Sequence, residues 1–361
     1  MSNCDVIVVG GGVIGCSCAY ALARAGLAVE LLEERYIAAE ASWASAGMID
    51  GHSLGRAADG EYVRLKARSA AMFAAMAAQL QSETGIDCEY HVTGKLELAL
   101  NERQQKHLQR LADGAAAVWQ DGDAIRRREP RLQAGVLGGL YFPQSAQIKP
   151  HRFTRALAAA ATRHGAAIRC NSKVVAVDAK TTSVTLADGA TRRAQWLVIA
   201  NGAWAGKLLP LPIRPVRGQV ELLRPGKPFL QHIVEHGERY LVPRRDGAVY
   251  LGATIEHVGF DRSTTDKGIQ WLREGASCFV SGLDKLPVER RWAAVRPWCG
   301  LKRPMIGPMP QTKSVLLALG HYRSGITLAP VTGELISQYV LEQDRSVDWQ
   351  SPPQEKALYN S

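Results

Sequence analysis

Asp5-Val-Ile-Val-Val-Gly-Gly-Gly-Val-Ile-Gly15 decides the fold. Asp5-Val-Ile-Val-Val9 is the continuous apolar run of a buried strand, and Gly15 to Ala25 reads as a helix stopped by Gly26. Between them lies G-x-G-x-x-G, placed where that motif has mechanical meaning. Gly10 permits the tight turn, Gly12 lets a pyrophosphate approach the backbone, and Gly15 lets the helix pack close to the strand. A second strand, Ala28 to Leu32, ends at Glu33, which is placed to accept ribose hydroxyl hydrogens and argues against a 2′-phosphate. The unit is a βαβ dinucleotide site, and on the fingerprint alone NAD and FAD both remain open.

A second corner of the same kind stands near the C-terminus. Val315 to Leu319 reads as a strand, Gly320-His-Tyr-Arg-Ser-Gly325 as a Gly-bracketed turn, and Gly333 to Leu341 as a helix. Such a corner offers backbone N–H groups and a positive helix end to an anion or an electron-rich ring. A third Gly turn, Asn201-Gly202-Ala203-Trp204, follows the apolar run Trp196 to Ala200.

Outward from these corners, helical spacing marks 61–83, 102–112, 152–163 and 266–280, and Lys95 to Leu100 alternates like a half-buried strand. Two hairpins are signalled, Val184 to Leu186 with Arg192 to Ala200 around Asp188-Gly189, and Tyr240 to Val242 with Val249 to Leu251 around Asp246-Gly247. Glu289 to Arg303 reads as a basic segment. The expected fold class is α/β: a Rossmann-like cofactor domain built from discontinuous segments (1–84, 147–212 and 297–361), with an inserted antiparallel-sheet α+β substrate domain (85–146 and 213–296).

A chain of 361 residues, 46% hydrophobic and 22% charged, can bury the core of two domains. Its formal charge of +10 is dispersed. Even Arg126-Arg127-Arg128 is followed by an acid and a proline, so no nucleic-acid patch is expected. No apolar run reaches membrane-spanning length and the first residues lack a basic n-region, which predicts a cytoplasmic protein. Seven scattered cysteines without metal spacing predict reduced thiols and no metal.

Arg296, in Arg-Pro within the apolar and aromatic stretch Trp292 to Trp298, suits either a bidentate anion or a core acid. Tyr240 could offer a hydroxyl beside it or simply close a hairpin face.

The segments Val6–Gly15, Ala41-Ser-Trp-Ala-Ser-Ala-Gly-Met48, Leu197–Trp204 and Gly320–Pro330 together resemble the flavin-dependent amine and amino-acid oxidases of the D-amino-acid oxidase superfamily. Within it the likeness is nearest to the glycine oxidases that feed thiamine thiazole synthesis. It runs nearly end to end, through Tyr240-Leu-Val-Pro-Arg-Arg-Asp-Gly247, Leu251-Gly-Ala-Thr254 and Trp292-Ala-Ala-Val-Arg-Pro297.

The resemblance implies FAD. It places Gly10, Gly12, Val13, Ile14 and Gly15 at the pyrophosphate and Glu33 with Glu34 at the ribose. Ala41, Ser42, Ala46, Gly47 and Met48 would lie along the cofactor, with Val174 at the adenine and Gly202 nearby. His321, Tyr322, Arg323, Ser324, Gly325, Ile326 and Thr327 would line the isoalloxazine edge. Arg296 would clamp the substrate carboxylate, helped by Tyr240 and Arg323, while His321 organises the turn and no side chain acts as general base.

The implied reaction is oxidative deamination of glycine or a small relative, by hydride transfer from Cα to flavin N5, giving glyoxylate, ammonia and hydrogen peroxide. The implied partners are a small amino acid, O2, copies of the chain in a homotetramer, and a thiazole synthase. Sarcosine or D-amino-acid oxidation, a dehydrogenase using another acceptor, and a silent flavin subunit are the alternatives. The sequence departs from the glycine oxidase pattern at Trp298-Cys299-Gly300, at Ser324 in place of Asn, and at Glu238 in place of His. Bulky Trp298 and acidic Glu238 near the pocket leave substrate size and preference open, but not the reaction class. Cys299 stands where some relatives attach flavin, but its spacing predicts an inert thiol.

Overall fold

The computed structural model describes residues 4–51, 60–112, 116–301 and 303–342. The expected outer ends of the cofactor domain, 1–3 and 343–361, lie outside the described residues.

Two sheets organise the chain. The first has six strands in the order Met305–Pro308, Val315–Leu319, Trp196–Ile199, Val6–Val9, Val29–Leu32 and Ala167–Arg169. All neighbours run parallel except the Met305–Pro308 edge. Successive side chains leave a strand on opposite faces, so one apolar run serves two cores. Val6, Val8, Leu31, Val198 and Leu316 face the helices Val13–Arg24, Glu61–Thr84, Pro150–Arg163 and Gly325–Glu342. Ile7, Val9, Leu32, Leu197 and Leu317 face the other way, onto a three-stranded antiparallel sheet, Val174–Asp178, Ser183–Leu186 and Thr191–Arg193.

The second sheet has eight strands, ordered Val288–Trp298, Arg214–Leu223, Val249–Gly252, Arg239–Pro243, Ile233–His236, Lys95–Ala99, Gly138–Phe142 and Val118–Asp121. It is antiparallel except where Ile233–His236 meets Lys95–Ala99. Helix Asp266–Ser277 covers one face through Ile269, Leu272 and Ala276. The other face presents Val220, Tyr240, Val242 and Tyr250 to Ala46 and Met48.

Four expectations change. The run Arg192 to Ala200 is not one hairpin arm. Thr191–Arg193 pairs with Ser183–Leu186, whereas Trp196–Ile199 joins the parallel sheet beside Val6–Val9. The basic segment Glu289 to Arg303 is mostly the long strand Val288–Trp298, paired along its length with Arg214–Leu223. The first helix begins at Val13, with Gly12 as its N-cap, and not at Gly15. The last helix begins at Gly325 and runs through Pro330, although proline ordinarily ends a helix. Neighbouring helices bond the groups on either side of it: Val331 N–H donates to Ser69 Oγ at 3.2 Å, and Ala329 C=O accepts from Ser17 Oγ at 2.6 Å.

Candidate active site

The first corner is shaped by close approaches. Gly10 sits at φ +109, and a Cβ there would meet the Ala200 carbonyl oxygen at 2.7 Å. A Cβ at Gly15 would lie 1.9 Å from the Gly10 oxygen, so Gly15 packs helix on strand. It lies behind the turn and, unlike the other expected residues, does not line the cavity. Gly12 caps the helix without a side-chain bond, and Ser42 Oγ accepts the Val13 N–H at 2.9 Å. Glu33 accepts from Gly11 N–H at 2.7 Å and Arg35 N–H at 2.8 Å, which fixes its carboxylate at the end of the second strand. Glu34 pairs with Lys173 at 2.9 Å, next to Val174.

Residues 44–47 are held from the opposite sheet. Tyr250 Oη and Trp292 Nε1 both donate to the Ala44 carbonyl, at 2.6 and 3.3 Å. Arg244 donates to the Ala46 carbonyl at 2.7 Å and to Gln147 at 3.1 Å. Burial lowers the pKa of the Arg244 guanidinium from its ordinary value. Gly47 takes φ +70 under the Ile148 carbonyl, where a Cβ would lie 2.0 Å from that oxygen.

The C-terminal corner stands at the other end. Gly320 takes φ +77, and Cys299 Sγ packs against it, 2.7 Å from where a Cβ would be. The Cys299 thiol is buried, does not line the cavity, and has its pKa raised by that burial, as suits an inert group. His321 is buried, with Nε2 3.0 Å from Thr332 Oγ1, and burial pushes its pKa down to about 3. It is a neutral imidazole at physiological pH, in keeping with an organising role. Tyr322 N–H donates to the Pro297 carbonyl at 3.2 Å, joining this turn to the Arg296-Pro297 strand. Tyr62 Oη bonds Ser324 Oγ at 2.9 Å, and Thr327 Oγ1 donates to the Met48 carbonyl at 3.3 Å.

Between the corners runs a cavity of about 770 Å³. From the first corner it takes in Gly10, Gly12, Val13, Ile14, Glu33 and Glu34, and along its length Ala41, Ser42, Ala46, Gly47 and Met48. Val174 and Gly202 line it, as does the whole turn His321, Tyr322, Arg323, Ser324, Gly325, Ile326 and Thr327. Tyr240 and Arg296 enter it from the eight-stranded sheet.

Arg296 has unusual surroundings. Its guanidinium lies flat over Gly218, with Nη2 only 2.2 Å from where a Cβ would be. Its Nη1 donates to the Thr254 carbonyl at 3.1 Å, and among the described residues no carboxylate lies within ion-pair distance. Tyr240 is 8% exposed, its ring nearly parallel to Tyr250 with centroids 6.1 Å apart. Arg323 pairs with Glu238 at 3.4 Å, and both side chains are exposed enough for that bond to contribute little. Trp298 packs edge-on to His257, and neither it nor Glu238 lines the cavity, Glu238 standing beside it on Arg323.

Gly218, Lys66, Arg244, Tyr250 and Trp292 are functional candidates that sequence reasoning missed. A glycine inside the run Arg214–Leu223 was the available signal for Gly218, since it marks a close approach. For the others the decisive neighbours are remote in sequence.

The residues present fit a flavin dinucleotide. Two helices start at the cavity, Val13–Arg24 and Gly325–Glu342, and neither carries an acid in its first turn. Their positive ends face the cavity, one at the Gly-rich cradle and one at the opposite corner. Such a fold and site define an FAD-dependent oxidoreductase. The chain belongs to the FAD dependent oxidoreductase family (DAO), whose model matches residues 5–339. It is 30% identical to glycine oxidase of Bacillus licheniformis, over 96% of this chain and 95% of that one. Glycine oxidase from Geobacillus kaustophilus superposes with a TM-score of 0.90 at 30% identity, covering 95% of both chains. The bifunctional protein ThiO/ThiG of Nostoc sp. is 34% identical over 94% of this chain, which spans 53% of that relative. Among the described residues no helix is long and apolar enough to cross a membrane.

Proposed function

We propose that this enzyme oxidises glycine, or a small N-substituted glycine or D-amino acid, to glyoxylate (or the matching oxo acid), ammonia (or, from an N-substituted glycine, the matching amine) and hydrogen peroxide. The observation that carries this reading is Arg296, a cation without an acid partner among the described residues, seated on Gly218 in the cavity that the two helix ends share. A guanidinium so placed suits a carboxylate held bidentately.

FAD would be held by Gly12, Val13 and Ile14 at the pyrophosphate, Glu33 and Glu34 at the ribose, and Val174 at the adenine. Residues 41–48 would lie along it, with His321 to Thr327 at its ring. When bound, the flavin supplies a two-electron acceptor that O2 can reoxidise. The protein's part is to bind and orient. Arg296 fixes the carboxylate and Tyr240 adds its hydroxyl, so the substrate carbon has one position in the cavity. His321 is too weak a base at neutral pH to take a proton, and the reading uses a substrate whose amine is neutral when its carbon reacts. The amide-rich turn 320–325 and the helix behind it favour negative charge at that end.

The same reading assigns residues 1–84, 147–212 and 297–361 to cofactor binding, and 85–146 and 213–296 to the substrate. The ThiO/ThiG fusion of the Nostoc relative supports a glycine imine passed on to a thiazole-forming partner. Anaerobic titration tests the proposal: glycine should bleach the flavin's visible band, and air should restore it with one peroxide per glyoxylate. A flavin that no small amino acid bleaches would refute it.

A further inference from the structure

The cavity contains a second cation that the carboxylate clamp does not use. Lys66 lies on helix Glu61–Thr84, one turn beyond Tyr62, whose hydroxyl bonds Ser324 in the C-terminal turn. One turn further on, the helix presses against the chain beside Asp50: a Cβ at Gly51 would touch Ala70 at 2.8 Å. Lys66 is thus set between the redox-end turn and the segment that follows Met48, and it lines the cavity with Asp50 and Arg323.

The other charges there are taken. Asp50 and Glu235 both bind the Lys95 ammonium, at 2.5 and 3.3 Å, and Glu238 is paired with Arg323. Lys66 has no carboxylate within 4.0 Å among the described residues. Burial lowers its pKa despite the attraction of Asp50 and Glu235, so these carboxylates do not replace the solvation it has lost. An ammonium in this position gains most from an anion brought by the ligand.

We propose that Lys66 forms a second anion subsite in the cavity it shares with Arg296, so that the enzyme favours amino acids carrying a second carboxylate over their neutral counterparts. This rests on the amino-acid oxidase reading and names the substrate class of that site. The α-carboxylate takes Arg296, the reacting carbon lies between, and the distal carboxylate takes Lys66.

Isosteric pairs isolate the charge: D-aspartate against D-asparagine, and N-(carboxymethyl)glycine against its monoamide. The holoenzyme should show a kcat/KM preference for the charged member of roughly 10- to 100-fold, expressed mainly in KM. Lys66→Met should erase that preference, and Lys66→Arg should restore part of it. In a second measurement needing no variant, succinate should perturb the flavin spectrum at lower concentration than propionate. Equal use of both members by the unaltered enzyme would overturn the proposal. So would a preference that survives in Lys66→Met, which would leave Lys66 as a counter-charge to the Asp50–Lys95–Glu235 cluster. Slower reoxidation by O2 in Lys66→Met with its preference unchanged would assign the ammonium to oxygen and also overturn it. If glycine and both members of each pair all fail to bleach the flavin, the oxidase reading itself falls, a separate outcome.

Discussion

Replacing Gly218 by alanine tests the carboxylate clamp through the seat beneath the guanidinium, leaving Arg296 itself unaltered. Gly218 lies inside strand Arg214–Leu223 with no positive φ, so alanine adds no backbone strain. The three atoms nearest to the new methyl would all belong to the Arg296 guanidinium, at 2.2 to 2.4 Å. Ordinary contact begins at 3.4 Å, so the guanidinium must move by about 1 Å. It is the free end of a flexible side chain, so the fold absorbs the movement and Tm should change by no more than about 3 °C. The clamp does not absorb it. A misplacement of about 1 Å in a positioning group costs on the order of 100-fold, or about 2.7 kcal/mol of transition-state binding. Peroxide formation against glycine concentration should show kcat/KM down by about that factor, with flavin content unchanged. The anaerobic Kd for glycine should rise in parallel. A Gly218→Ala enzyme within threefold of the parent would show that the guanidinium's seat does not set the reaction geometry.

Arg296→Ala should lose on the order of 100- to 1,000-fold in kcat/KM for glycine while keeping the flavin spectrum; near-normal turnover would remove Arg296 from the carboxylate role. Ser42→Ala leaves the Val13 N–H without its acceptor, and should cost about 1 kcal/mol of stability and raise the Kd for FAD, read by thermal melting and by flavin release on dilution. Burial pushes the Glu97 carboxyl up to about 7, with Glu235 and Asp50 adding to the effect and Lys95 opposing it. A carboxyl whose pKa is raised on folding contributes its stability below the unfolded value and loses it as pH rises toward 7. Glu97→Gln should therefore gain on the order of 1 to 3 kcal/mol relative to the parent at pH 8 and little at pH 4, a difference that melting curves across that range resolve.

The six-stranded half of the fold was legible because its signals are local. Gly10, Gly12 and Gly15 stand between a strand and a helix, Glu33 closes the next strand, and Asp188-Gly189 turns a hairpin against it. Most of the eight-stranded half was not, because its logic crosses the chain. Strand Val288–Trp298 looks basic until Arg291 is set opposite Glu221, whose fully buried carboxylate also takes Arg273. Pro330 looks like a helix stop until Ser69 and Ser17, from other helices, satisfy the groups around it. Lys66 looks like one more polar residue on an amphipathic helix, and only the fold brings it to the cavity.

The carbonyls of Ala44 and Ala46 tie the two sheets together thermodynamically. Three side chains of the eight-stranded sheet, Tyr250, Trp292 and Arg244, hold one edge of a segment whose other edge lines the cavity. A ligand lying along residues 41–48 therefore binds only the form in which that sheet is docked. By linkage, saturation at a hundred times Kd adds about 2.7 kcal/mol to the stability of both sheets together. The reciprocal holds as well: a substitution that loosens the substrate sheet, however far from the Gly-rich turn, weakens the hold on the cofactor by the same free energy. Cofactor retention is thus a property of both sheets, and flavin loss on dilution reports the integrity of the distant one.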